Sequence, residues 1–205
     1  MMRRRVRGLV RGLGLPMLAL LAGAAGPSAA DPDWPCVQRL VPVLAAGTLW
    51  NGHEAAGDWR SDPKIAALVA GVAPRSRPAE QGAAQLKAFA AALPPAERPA
   101  TLALVFAGLV DGTNTQRAEI IDRLRALARR QRSMVGTVSR ITAELRALPA
   151  DAPAAEREEV TTRRAFLIRD YEEVERTIRY ACEVPVQFEA RLGAFAQALQ
   201  GVLDN

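Results

Sequence analysis

The sequence predicts an all-α fold: a helical bundle with a long antiparallel coiled-coil hairpin and one disulfide. The chain of 205 residues is rich in Ala, Leu, Arg and Glu, which favour helices, and its apolar residues do not alternate over the length of a strand. Apolar residues recur with heptad spacing on both sides of a short loop at 149–153. The chain contains two cysteines, one near each end of the predicted domain.

Residues 1–30 have the layout of a secretory signal peptide. Five arginines flank the start of a short apolar stretch at 13–25, and Ser28, Ala29 and Ala30 supply the small residues of a cleavage site. The apolar stretch is shorter than the roughly 20 residues that a membrane span needs. We therefore expect cleavage after residue 30, one helical domain over 31–205 and no membrane span after cleavage. Retention of 1–30 as an anchor is the alternative.

The net charge of +5 comes from the amino-terminal stretch. Residues 1–30 contain five arginines and no acidic residue, so the 22 basic residues that remain equal the 22 acidic ones. A neutral domain lacks the positive surface that nucleic-acid binding requires. The charge balance therefore argues against nucleic acid as a partner.

Residues 31–60 form an irregular, tryptophan-rich segment. Pro and Gly recur throughout it and leave room for one short helix, over 36–46. Trp34, Trp50 and Trp59 lie within 26 residues of one another. Large aromatic side chains so close in sequence either plug the end of a bundle or form an exposed anchor for a protein partner. The plug is the favoured interpretation, and partner binding through these tryptophans is the alternative.

Three shorter helices are expected next, separated by prolines. Asp62 and Pro63 are typical of a helix cap and a first helical residue, and Pro78 opens a second helix. A third helix over 98–110 is apolar on nearly all sides, as expected for the centre of a bundle. The sequence DGTNT at 111–115 is typical of a turn and a cap, so we expect this third helix to end there.

Two long amphipathic helices are predicted over 116–148 and 154–182. Their seams step alternately by four and three residues and are apolar except at Gln131 and Arg164. The seam of the first helix consists of Ile120, Leu124, Leu127, Gln131, Met134, Val138, Ile141, Leu145 and Leu148. The seam of the second consists of Val160, Arg164, Leu167, Tyr171, Val174, Ile178 and Ala181. The short loop forces an antiparallel hairpin. Folding at Asp151 would pair Arg129 with Glu173, Arg130 with Glu172, Arg132 with Asp170, and Gln131 with Tyr171.

A last amphipathic helix is predicted over 186–203, with its apolar residues on one face. Cys182 lies just before it, at the end of the hairpin. Two cysteines in an exported protein suggest a disulfide. A Cys36–Cys182 bond would tie the tryptophan-rich segment to the base of the hairpin.

No catalytic or cofactor site is recognisable in the sequence. His53 is the only histidine, and with Glu54 and Asp58 it makes a weak candidate for metal ligation because the spacing matches no common metal motif. The stretch DGTNTQRAE lacks the ligand pattern of a calcium loop, and no C-x-x-C or glycine-rich phosphate loop occurs. We therefore expect a non-enzymatic protein without a cofactor.

Four short sequences, DWPCVQ, DWRSDP, LVFAGLVDGTN and RYACEVPVQFE, give the chain a resemblance to secreted helical proteins of proteobacteria that share a DWPC…CEVP pattern. The resemblance implies a helical fold and an exported location, and it implies no catalytic residues. We expect a binding or adaptor protein that acts with another periplasmic or membrane-associated protein. A small-molecule or metal-binding helical bundle is the alternative, and self-association is left open.

Overall fold

The computed structural model describes residues 31–204, and over this range the chain is helical without strands. Two short 3-10 helices, Ala46–Thr48 and Trp59–Ser61, come before five α-helices: α1 (Pro63–Val72), α2 (Ala79–Ala92), α3 (Arg98–Ala147), α4 (Ala154–Ala181) and α5 (Val184–Leu203). The predicted helical bundle with a long antiparallel hairpin is confirmed. Within the described range, no helix is both long and apolar enough to cross a membrane. The predicted signal peptide at 1–30 lies outside the described residues.

The start of α1 follows the sequence prediction. The Asp62 carboxylate accepts hydrogen bonds from the backbone N–H groups of Lys64 (2.8 Å) and Ile65 (3.3 Å), and Pro63 occupies the first turn. These bonds satisfy two of the N–H groups that a helix leaves unpaired at its start. The local sequence therefore fixes this boundary without help from the rest of the fold.

The helices enclose two apolar clusters. The larger one, the bundle core, lies between α1, α2, α5 and the first part of α3, and its fully buried members include Ile65, Val72, Leu86, Leu102, Phe106, Leu109, Leu192 and Leu199. The smaller one lies at the base of the hairpin and consists of Leu124, Met134, Val174, Ile178 and Cys182. The helix over 98–110 is central, as predicted, because its side chains supply much of the bundle core.

The prediction that a turn interrupts the chain at 111–115 is wrong, because α3 runs through this stretch without a break. The polar residues there bond to other parts of the fold instead of capping a helix. Asp111 accepts a hydrogen bond from Trp59 Nε1 at 3.0 Å. Asn114 accepts from the backbone N–H of Leu44 at 2.9 Å and donates to its carbonyl at 3.0 Å. These contacts offset the weak helix propensity of Asp, Gly, Thr and Asn.

The α3–α4 hairpin has the predicted seam, since every seam residue is buried or half-buried. The loop is closed by a hydrogen bond from the Ala152 N–H to the Pro149 carbonyl at 3.1 Å. The register is shifted from the prediction. Arg164 donates to Thr142 Oγ1 at 2.9 Å, whereas folding at Asp151 would place it opposite Val138.

The shift amounts to about one helical turn, and it has a geometric cause. Helical side chains lean towards the start of their own helix. In this antiparallel pair, α3 side chains therefore lean away from the loop and α4 side chains lean towards it, so an α4 side chain meets an α3 residue nearer the loop than counting predicts. Tyr171 shares the lining of one groove with Val135 and Val138.

The predicted charge pairing across the hairpin is also wrong. Arg129 and Arg132 bind Asp33 of the amino-terminal segment, and Glu173 binds Arg176 on its own helix. Since the partner of the basic stretch lies about 100 residues away in the sequence, the periodicity of the hairpin could not reveal it.

The amino-terminal segment (31–60) runs along α3 as an irregular strap. The short helix predicted over 36–46 is absent, and a 3-10 turn at Ala46–Thr48 takes its place. Contacts at Asp33, Cys36 and Leu44 hold the backbone in an irregular path of turns and bends. Because each contact reaches a different level of the hairpin or bundle, a helix could not satisfy all three.

Candidate functional site

The disulfide joins the strap to the base of the hairpin, as predicted. Cys36 and Cys182 are bonded, with Cα atoms 5.6 Å apart and a sequence separation of 146 residues. Trp34 and Cys36 pack against the hairpin-base cluster. The bond therefore links a segment without regular structure to the end of α4, where the hairpin meets α5.

The three tryptophans are not brought together into one surface. Trp50 is buried, stacks on Phe106 with ring centroids 4.9 Å apart, and donates to the His53 carbonyl. Trp59 packs against the bundle core and Trp34 against the hairpin-base cluster. Each indole N–H has an acceptor within the chain. All three rings contact an apolar cluster of the fold, and partner binding through these residues stays a prediction.

The weak candidates for metal ligation have different surroundings in the structure. His53 lines an open cleft of about 550 Å³ beside Gln200 and Asp204. Asp58 accepts a hydrogen bond from the Arg60 N–H at 3.0 Å and caps a 3-10 turn. Among residues 31–204, no three His, Cys, Asp or Glu side chains are placed so that they could hold a metal ion.

Two aspartates of the strap neutralise a basic row on α3. Asp31 binds Arg125 at 2.8 Å, and Asp33 binds Arg129 at 2.8 Å and also Arg132. The backbone N–H of Asp33 and the Arg125 guanidinium lower the pKa of Asp31, and the hydrogen bonds from Arg129 and Arg132 lower the pKa of Asp33. The arginine row is thus engaged within the chain.

An apolar groove crosses one side of the hairpin. We call it the hairpin groove; it measures about 200 Å³ and is lined by Val135, Val138, Ser139, Ile168 and Tyr171. Val135, next to the seam residue Met134, is 50% exposed. The heptad pattern missed this groove because Val135 and Ile168 lie just outside the seam positions.

A second feature is a small cavity at Arg117, which we call the Arg117 cavity. It measures about 70 Å³ and lies between the strap, α3 and the start of α5, with Cys182 in its wall. Arg117 is the buried charged residue of the described range, at 3% exposure. The sequence carried a signal for it: Arg117 precedes Ile120 by three residues and so occupies a seam position.

Comparisons of the chain with known protein families, with curated proteins and with solved structures found no match.

Proposed function

We propose that the protein is an exported, non-enzymatic helical adaptor that binds another periplasmic or membrane-associated protein through the hairpin groove. The observation that carries this proposal is the exposed apolar lining of the groove, with Val135 half exposed and Tyr171 and Ile168 beside it. Two antiparallel helices with an apolar groove between them resemble two neighbouring helices of a bundle. An amphipathic helix of another protein can pack its apolar face into such a groove.

The charges beside the groove indicate the chemistry of that helix. Glu172 lies one turn beyond Ile168 on the same face of α4, whereas Glu175, one turn beyond Tyr171, is already paired with Arg179 at 3.3 Å. A partner helix with apolar residues three and four apart, flanked by Lys or Arg, would match both features.

The exported location is supported by two features. The Cys36–Cys182 disulfide is of a kind that persists in oxidising compartments and is rare in the cytoplasm. The layout of residues 1–30 and the resemblance to secreted helical proteins agree with it.

Site-specific photo-crosslinking in the native cell envelope tests the adaptor function. A photoreactive amino acid at Ser139 lies in the groove, and the same substitution at Ser133 is the matched control, because Ser133 is an exposed serine of the same helix that does not line the groove. We expect Ser139, and not Ser133, to give an adduct with a different protein, and the crosslinked peptide to be an amphipathic, basic helix.

Ile168→Glu should abolish the adduct from Ser139, because a carboxylate in the groove repels an apolar helix face. An adduct between two copies of this protein would instead mean that the groove is the interface of a homo-oligomer and not the binding site for a different protein. Equal labelling from Ser133 and Ser139, or none from either position, would refute a specific surface on this side of the hairpin.

A further inference from the structure

Arg117 is buried in the described structure without a hydrogen-bond partner. Its Nε and Nη1 atoms are both buried and unpaired, and the residue is 3% exposed. A buried guanidinium that donates to nothing is strongly destabilising, because it has lost its water without gaining an acceptor. Arg117 also lines a cavity, so an acceptor bound there would lie beside this guanidinium.

Arg191 shows how the same chain treats a comparable arginine. Its Nη1 donates to the Arg77 carbonyl at 2.6 Å, and its Nη2 donates to the carbonyls of Val72 (2.7 Å) and Pro74 (3.2 Å), while its Nε is buried and unpaired like that of Arg117. These carbonyls lie at and after the end of α1, where a cation stabilises the helix. Arg117 has no such set of carbonyls, and the Glu189 carboxylate, which lines the same cavity, does not accept a hydrogen bond from it.

The charges around the Arg117 cavity favour an anion. Arg117 and Arg39 line it with one acidic residue, Glu189, which leaves one positive charge in excess. Burial lowers the pKa of Arg117, and the Glu189 carboxylate offsets this only in part. One bound monoanion would balance the charge and supply the missing acceptor.

The volume of the Arg117 cavity and its apolar walls restrict the kind of anion that it can hold. A volume of about 70 Å³ is small and limits a ligand to a few non-hydrogen atoms, as in a very short carboxylate. The wall opposite the charges is apolar and includes Val41, Pro185 and Val186. Val41 and Val186 are also partly exposed, at 41% and 48%, so they lie where the cavity opens to solvent.

We infer that the Arg117 cavity binds a short aliphatic monocarboxylate, with the carboxylate accepting hydrogen bonds from Arg117 and the alkyl end against Val41, Pro185 and Val186. This site is separate from the hairpin groove and does not depend on the adaptor function. It gives the small-molecule alternative a specific ligand class and location.

Titration of the purified protein with acetate, propionate and hexanoate tests the inference, at constant ionic strength set with chloride. Trp34 lines the cavity, so its fluorescence should change saturably, and the melting temperature should rise with ligand concentration. Hexanoate should bind no more tightly than propionate, because its additional carbons would extend past Val41 and Val186 into solvent and gain no buried contact.

Arg117→Gln should weaken binding by about tenfold or more, as expected on losing a charged hydrogen-bond donor. Arg130→Gln, an exposed arginine on the same helix, is the matched control and should bind like the unchanged protein. If Arg117→Gln does not fold, the Nε–H resonance of Arg117 in the unchanged protein reports directly, and it should shift on addition of acetate.

Three outcomes would overturn the site. An Arg117 resonance unmoved by every carboxylate would mean that water fills the cavity. An equal response to chloride would mean an adventitious ion only. Unchanged binding in Arg117→Gln would place the carboxylate elsewhere on the protein.

Discussion

The hairpin (116–182) and the strap (31–60) are held in place by different kinds of contact. In the hairpin, two heptad seams meet each other, and the loop at 149–153 makes them neighbours. In the strap, nearly every fixed point reaches a distant residue: Asp33 binds Arg129, Cys36 binds Cys182, and the Leu44 backbone binds Asn114. Local periodicity is sufficient to specify the helices and the seam of the hairpin. The strap, in contrast, has no stable structure without the rest of the fold.

The largest expected effect comes from breaking the one covalent contact of the strap. Cys182→Ser opens a loop with a sequence separation of 146 residues, and the chain-entropy model gives a loss of up to about 5 kcal/mol. Thermal unfolding with and without reductant measures this loss. The unchanged protein should become less stable on reduction, and the variant should not respond. Equal melting temperatures for the two oxidised proteins would show that the bond does not stabilise the fold.

Two glycines of α3 allow the packing under the strap to be compared with the packing in the hairpin. A Cβ at Gly108 would lie 2.8 Å from Val69 Cγ2 and 2.9 Å from Trp59 Cδ2, whereas a Cβ at Gly136 would meet nothing within 4 Å. Gly108→Ala should destabilise by about 1–3 kcal/mol through overpacking. Gly136→Ala should stabilise by up to about 1 kcal/mol through helix propensity. Urea unfolding compares them; two changes of the same sign would contradict the close packing at Gly108.

Acid should loosen the strap before it affects the hairpin seam. The pKa values of Asp31 and Asp33 are lowered from 3.8 in the folded state, so the folded state binds fewer protons than the unfolded state. Their stabilising contribution is present above about pH 5 and is lost as the pH falls through the folded pKa values. In Asp33→Asn, the loss of stability between about pH 5 and pH 2 should be smaller.

Urea midpoints measured across this pH range give the comparison, and Asp151→Asn, at the exposed turn of the hairpin, is the control. If Asp33→Asn and Asp151→Asn show the same pH dependence, the aspartate–arginine contacts of the strap do not govern acid sensitivity.

The smallest effect tests the register of the hairpin. Arg163 binds Glu144 across the two helices at 2.6 Å, and both side chains are about half exposed. A double-mutant cycle on this pair should give a coupling energy of about 0.2–1 kcal/mol. The same cycle on Arg129 and Glu173, which the sequence paired, should give none. Coupling in the second pair alone would restore the register counted from the loop.

The sequence alone was sufficient for most of the fold. The all-α fold, the caps of α1, the hairpin and its seam, and the buried face of α5 all depend on contacts between residues close in sequence or on a repeating period. The disulfide was predictable because the two cysteines of the chain leave one possible pairing.

Only the tertiary structure decided which polar residues meet. DGTNT stays helical because Trp59 and the Leu44 backbone reach Asp111 and Asn114, and Arg129 binds Asp33 instead of Glu173. Both candidate binding features also appeared only in three dimensions, since the Arg117 cavity and the hairpin groove are gaps between elements. The reason is physical: hydrophobic periodicity is repeated along a chain, whereas a hydrogen bond or a cavity depends on the positions of residues that sequence distance does not constrain.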